Sequence, residues 1–70
     1  MIRIDWSKLV HELVIRGLGT DALTQGPDKV GHSTVSRIKA GLAVRPVIVA
    51  RISRTVGRHP KLEVAEAILA

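Results

Sequence analysis

Apolar side chains recur along this chain at helical spacing, in short runs separated by glycine and proline. Trp6, Leu9, Val10, Leu13 and Val14 fall at i, i+3, i+4, i+7 and i+8, which is one face of a helix. Lys8, His11, Glu12 and Arg16 occupy its other face. Asp5 stands where an N-cap belongs, and Gly17 with Gly19 predicts the stop. Trp6, the single aromatic residue, lies on the apolar stripe and reads as a core anchor. Thr20 then suits the N-cap of a short second helix through Asp21, Ala22, Leu23 and Thr24. Gly26-Pro27 ends it near Gln25, because a proline inside a helix loses a hydrogen bond and clashes with the preceding turn.

Asp28-Lys29-Val30-Gly31 reads as a turn with Val30 pointing inward. A third helix is predicted from His32 to Ala40, with Gly31 or Ser33 as its cap and Gly41 at its end. Val35 and Ile38 hold its apolar side, so helical spacing exposes His32, Ser33, Ser36, Arg37 and Lys39. Pro46 opens a fourth helix that carries Val47, Val49, Ala50, Ile52 and Val56 and ends at Gly57. A fifth is predicted over 61–69, with Leu62, Ala65, Ile68 and Leu69 apolar and Glu63 and Glu66 facing water. Strand character is limited to Ile2 and Ile4. The expected fold class is all-α, a single domain over 1–70 built as a bundle of about five short helices.

Charge sharpens this picture. Residues 1–28 contribute −1, and 62–70 contribute −2 through Glu63 and Glu66. Between them, 29–61 contribute +8, from Lys29, Arg37, Lys39, Arg45, Arg51, Arg54, Arg58 and Lys61, with no acid at all. A one-sided basic block is the electrostatic footprint of a nucleic-acid partner. A solvated face that only keeps a small protein soluble is the plain alternative.

Val30-Gly31-His32-Ser33-Thr34-Val35-Ser36-Arg37-Ile38-Lys39-Ala40-Gly41 resembles the recognition-helix region of the Cro/lambda-repressor-like helix-turn-helix family. That region commonly reads Val-Ser-x-Ser-Thr-Val-Ser-Arg-Ile-x-x-Gly. Val30, Ser33, Thr34, Val35, Ser36, Arg37, Ile38 and Gly41 match it without a gap. Val49 to Gly57 also looks like the family's fourth helix, so the resemblance covers roughly 17–57. It departs at Thr24-Gln25-Gly26-Pro27-Asp28-Lys29, where the family's second helix carries Leu-Ala and ends in Leu-Gly.

The resemblance implies a lambda-repressor-like domain with its helix-turn-helix over about 20–41 and double-stranded DNA as partner. It places base-edge contacts on His32, Ser33, Ser36 and Arg37, and backbone contact on Thr20 and Asp21 at the start of helix two. Arg37 is the leading candidate for readout, since its fork suits guanine O6 and N7; contact with phosphate alone is the competing role. Lys29, Thr34, Lys39 and Arg45 flank the reading helix as phosphate candidates. Arg51, Arg54 and Arg58 share one side of helix four, where DNA contact, partner contact and simple solvation all stay open. A homodimer through Leu62, Ile68 and Leu69, aided by Ile2 and Ile4, is one expected use of these apolar residues; closing the monomer's core is the other.

The implied function is a small phage-type transcription regulator acting by operator occupancy, a repressor of Cro type. An interaction module, such as an antitoxin or a phage factor that binds a host protein, is the alternative from another class. DNA binding without sequence preference is a third. No enzyme is expected: the six acids are scattered, and no buried carboxylate orients His32 towards Ser33 or Ser36. Without cysteine, and with His11, His32 and His59 far from carboxylate partners in spacing, neither a metal nor another cofactor is expected. No apolar run exceeds four residues, the length of Val47 to Ala50, which is too short to span a bilayer. No signal peptide is apparent, so a soluble, cytoplasmic, nucleoid-associated protein is the expectation. Seventy residues bury only about 60% of the unfolded chain's surface, so the core is marginal.

Overall fold

Asp5 starts the first element as its position predicts. Its side chain accepts a hydrogen bond from the Lys8 amide at 3.1 Å, which closes the N-terminus of α1, Trp6–Val14. Replacing Asp5 with alanine should therefore cost about 1 kcal/mol, read as a melting point lowered by about 4–8 °C. The structure, a computed structural model, describes residues 1–64.

Leu9 and Leu13 are the buried residues of α1, with Trp6 packed beside them on the core. The helix stops through Gly17, whose φ of +74° is open to glycine at no steric cost. There the Gly17 amide donates to the Val14 carbonyl and the Leu18 amide to the Leu13 carbonyl, both at 2.9 Å. That pair of bonds satisfies two carbonyls the helix leaves open. Val14 departs from the predicted stripe: it is 42% exposed, whereas Ile15 is buried. The cause is the chain returning over the end of α1. The Leu62 amide donates to the Ile15 carbonyl at 2.8 Å, and Arg16 Nε donates to the His59 carbonyl at 2.9 Å.

The predicted second helix is a 3-10 helix, Thr20–Thr24, and its cap is Gly19 rather than Thr20. It ends at Gln25, ahead of Gly26-Pro27. Leu23 anchors it in the core, and the Val30 amide donates to the Leu23 carbonyl at 2.9 Å. Those two residues bracket the turn between it and α2, His32–Lys39. Gly31, not Ser33, is the N-cap of α2. Its C-terminus closes at Gly41, φ +82°, where the Gly41 amide donates to Ile38 and the Leu42 amide to Arg37.

α3, Pro46–Gly57, begins on its proline as expected, buries Ile52 and Thr55, and packs Ile48, Val49 and Val56 on the core. One cluster unites Leu9, Leu13, Leu23, Val30, Ile38, Val44 and Ile52. Each of the four helices contributes to it. Ile2 and Val44 exchange backbone hydrogen bonds of 2.8 and 2.7 Å in an isolated antiparallel bridge. Ile4 packs on the core, so it is spent on closing the monomer rather than left for a dimer.

The fold is thus a small, mostly helical domain. Of the five predicted helices, three are α-helices and the second is the 3-10 helix. The fifth falls mostly outside the described residues: the backbone turns helical at 63 rather than 61, and Ile68 and Leu69 lie beyond 64. Among the described residues there is no strand beyond the bridge, and no helix is long and apolar enough to cross a membrane.

Candidate nucleic-acid interface

The two sides of α2 differ sharply. Ile38 is fully buried and Val35 half-buried against the core, while His32, Ser33, Ser36, Arg37 and Lys39 are exposed. Thr34 is half-buried. No side chain caps the helix at Gly31, so the amides of its first turn carry partial positive charge towards solvent.

A cavity of about 450 Å³ adjoins that end, bordered by Thr24, Lys29, Val30, Gly31, His32 and Arg51. Arg51 Nη1 donates to the Lys29 carbonyl at 3.1 Å, which ties α3 to the turn before α2. The tertiary fold therefore gathers Lys29, His32 and Arg51 around the open helix terminus. A second depression, about 410 Å³, lies on the far side of α2 between Met1, Thr34, Arg37, Ala43, Val44, Arg45 and Ile48. There Arg37 Nη2 donates to the Ala43 carbonyl at 3.1 Å. One of five guanidinium donors is thus engaged, and the fork is held in place while its remaining donors stay available.

Thr20 and Asp21, both exposed, stand apart from α2's two cavities, on the 3-10 helix. Asp21 Oδ1 lies over Gly19, so close that a Cβ there would stand 2.6 Å from it. An acid already occupies the start of this helix. Lys39 is exposed in the last turn of α2, where a cation suits the helix dipole.

The stripe on α3 has a specific use. Arg54 Nε donates to Asp28 Oδ1 at 2.9 Å, and Arg58 Nη1 pairs with Asp28 Oδ2. With Arg51, these side chains fasten the segment 28–29 to α3, so all three make intramolecular bonds. Hydrogen bonds from Arg54, then Arg58, hold the Asp28 carboxyl below the usual carboxylate range. A carboxyl depressed on folding adds stability above its unfolded pKa, near 4, and loses it as pH falls through the folded value. The melting points of the native chain and Asp28→Asn should accordingly differ at pH 7 and converge on acidification. A gap unchanged in acid would mean that the ion pairs are not its source. High salt should narrow the gap at pH 7, since both guanidiniums are exposed.

Sequence reading missed Arg16. It is half-buried, and its Nη1 donates to the Glu12 carbonyl and to Glu12 Oε2 at 2.8 and 2.9 Å while Nε holds His59. The spacing of Glu12 and Arg16 signals the first contact, and nothing local signals the second. The Arg16 hydrogen bond also holds the Glu12 carboxyl below its ordinary value.

No group of three or more His, Cys, Asp or Glu stands close enough to hold a metal ion among the described residues. No protein-family model, curated protein or solved structure matches this chain.

Proposed function

We propose that the chain binds double-stranded DNA with α2 in the major groove, and that it acts as a small transcription regulator by occupying an operator. The observation that carries this is the division of α2. Its back is locked by Ile38, and its exposed side presents His32, Ser33, Ser36 and Arg37 between cations at both ends. A helix anchored in this way can enter a groove without losing its position in the domain.

In this reading the 3-10 helix, the turn 25–31 and α2 form a helix-turn-helix whose first arm is shortened. Arg37 reads guanine, and the hydroxyls of Ser33 and Ser36 meet neighbouring base edges. Lys29 and His32, beside the open terminus of α2, seat one backbone phosphate. Thr34 and Arg45, beside Arg37, seat another, and Lys39 a third. Thr20 adds at most its amide. Asp21 is left out of the set, because its carboxylate opposes a phosphate at the start of the 3-10 helix. Leu62, half exposed beside Gly17, is offered to a dimer surface that would set two copies on half-sites about 34 Å apart.

Selection of bound sequences from random duplex DNA with the purified chain tests the proposal. An enriched palindrome is the expected result. Uniform affinity with no enrichment would point instead to binding without sequence preference. A stoichiometric protein retained from nuclease-treated host lysate, with no duplex bound, would replace DNA by a protein partner.

A further inference from the structure

One carboxylate bridges two guanidiniums at the C-terminal end of α3, Arg54 in its last turn and Arg58 at its C-cap: Asp28 takes Arg54 on one oxygen and Arg58 on the other. The arginines are the outer members. Their side chains are 57% and 39% exposed, against 17% for Asp28. A phosphodiester offers guanidinium groups the same features as this carboxylate, two acceptor oxygens and one negative charge. The stripe also leads somewhere. Arg51, one turn earlier, borders the cavity at the start of α2 together with Lys29 and His32. Arg54 and Arg58 therefore extend a cationic line from that terminus along α3.

We propose that Arg54 and Arg58 form a further phosphate seat for a duplex backbone, and that Asp28 holds it shut by occupying it. This rests on the DNA-binding reading above. While Asp28 fills the seat, neither arginine releases counterions from DNA, and the native chain binds with less charge than its composition provides. Exposed ion pairs are weak and screened, so removing the carboxylate opens the seat at little cost to the fold.

The salt dependence of affinity for a short random-sequence duplex reads the seat directly. Each phosphate gained steepens the slope of log K against log salt by about 0.9, so Asp28→Asn, which opens one seat, should steepen it by about 0.9. Arg58→Gln in the otherwise native chain keeps the Arg54–Asp28 pair and should leave the slope unchanged. The same change within Asp28→Asn should take back part of that gain, because the phosphate keeps only Arg54. A native slope in Asp28→Asn overturns the proposal. So does a flatter slope in Arg58→Gln alone, which would mean that Arg58 already meets phosphate.

Inorganic phosphate provides a test without DNA. The Nε–H resonance of Arg54 should shift with added phosphate in Asp28→Asn and stay still in the native chain. If it stays still in both, the seat does not exist, whatever the duplex does. If it shifts while neither protein binds any duplex, the DNA reading has failed, and a nucleic-acid backbone as the seat's ligand fails with it.

Discussion

Ile38→Ala is expected to remove most of the stability of this domain and, with it, all duplex binding. The side chain is fully buried within the apolar cluster, where it joins α2 to Leu9, Leu13, Leu23, Val30, Val44 and Ile52. Truncating a buried isoleucine to alanine costs about 2–5 kcal/mol, through lost transfer energy and the cavity left behind. A domain of 70 residues holds in total about 3.5–10 kcal/mol at the usual stability per residue. One substitution thus takes a large share, and the melting point should fall by roughly 10 °C or more. Chemical denaturation measures the loss. A variant within about 1 kcal/mol of the native chain would mean that α2 is not held by its back. The proposed groove contact would then lack its mechanical basis.

Arg37→Ala carries the second large effect, on specificity rather than stability. A bidentate arginine–guanine pair discriminates by about 1–3 kcal/mol, or roughly 5- to 150-fold between a selected site and scrambled DNA. The bond to the Ala43 carbonyl pre-orients the guanidinium, so less side-chain freedom is lost on binding. Arg37→Lys separates the two roles open to this residue. Lysine keeps the charge but lacks the planar fork, so discrimination should fall while affinity for unrelated DNA persists. If both variants lose affinity evenly across all sequences, Arg37 is a phosphate contact and readout lies elsewhere on α2. Thermal melts should show both variants folded, because the side chain is exposed and gives up one hydrogen bond.

Both expectations draw on a helix that was plain in the sequence. The Val35–Ile38 spacing, the cations around them and Gly41 at the end outline α2 within a residue of its observed bounds. Asp5, Gly17 and Pro46 delimit α1 and α3 in the same way, since each acts on backbone groups within one turn of itself. The candidate base contacts follow from that periodicity, and all of them are exposed.

The misses have a common origin. Val14 and Ile15 exchange places because the segment 59–62 returns over the end of α1, and no pattern within the helix encodes that return. The five-residue stretch Thr20–Thr24, ahead of Gly26-Pro27, is legible as a short helix. Whether it winds as α or 3-10 depends on Leu23 and Val30 being drawn into one core. Ile4 looks like a free apolar residue until the bridge between Ile2 and Val44 lays it on that core.

By itself, then, the order of residues determined where the three α-helices lie, which side of α2 turns inward, and that positive charge is concentrated in one block. Those are properties of neighbours, set by side-chain period, capping groups and backbone freedom within a few positions. Only the tertiary structure decided how the charge is used: Arg54 and Arg58 meet Asp28 across 26 and 30 residues, and Arg16 meets His59 across 43. Contacts at such separations depend on how the helices pack around the core. A charged residue's partner therefore stays invisible until that packing is known.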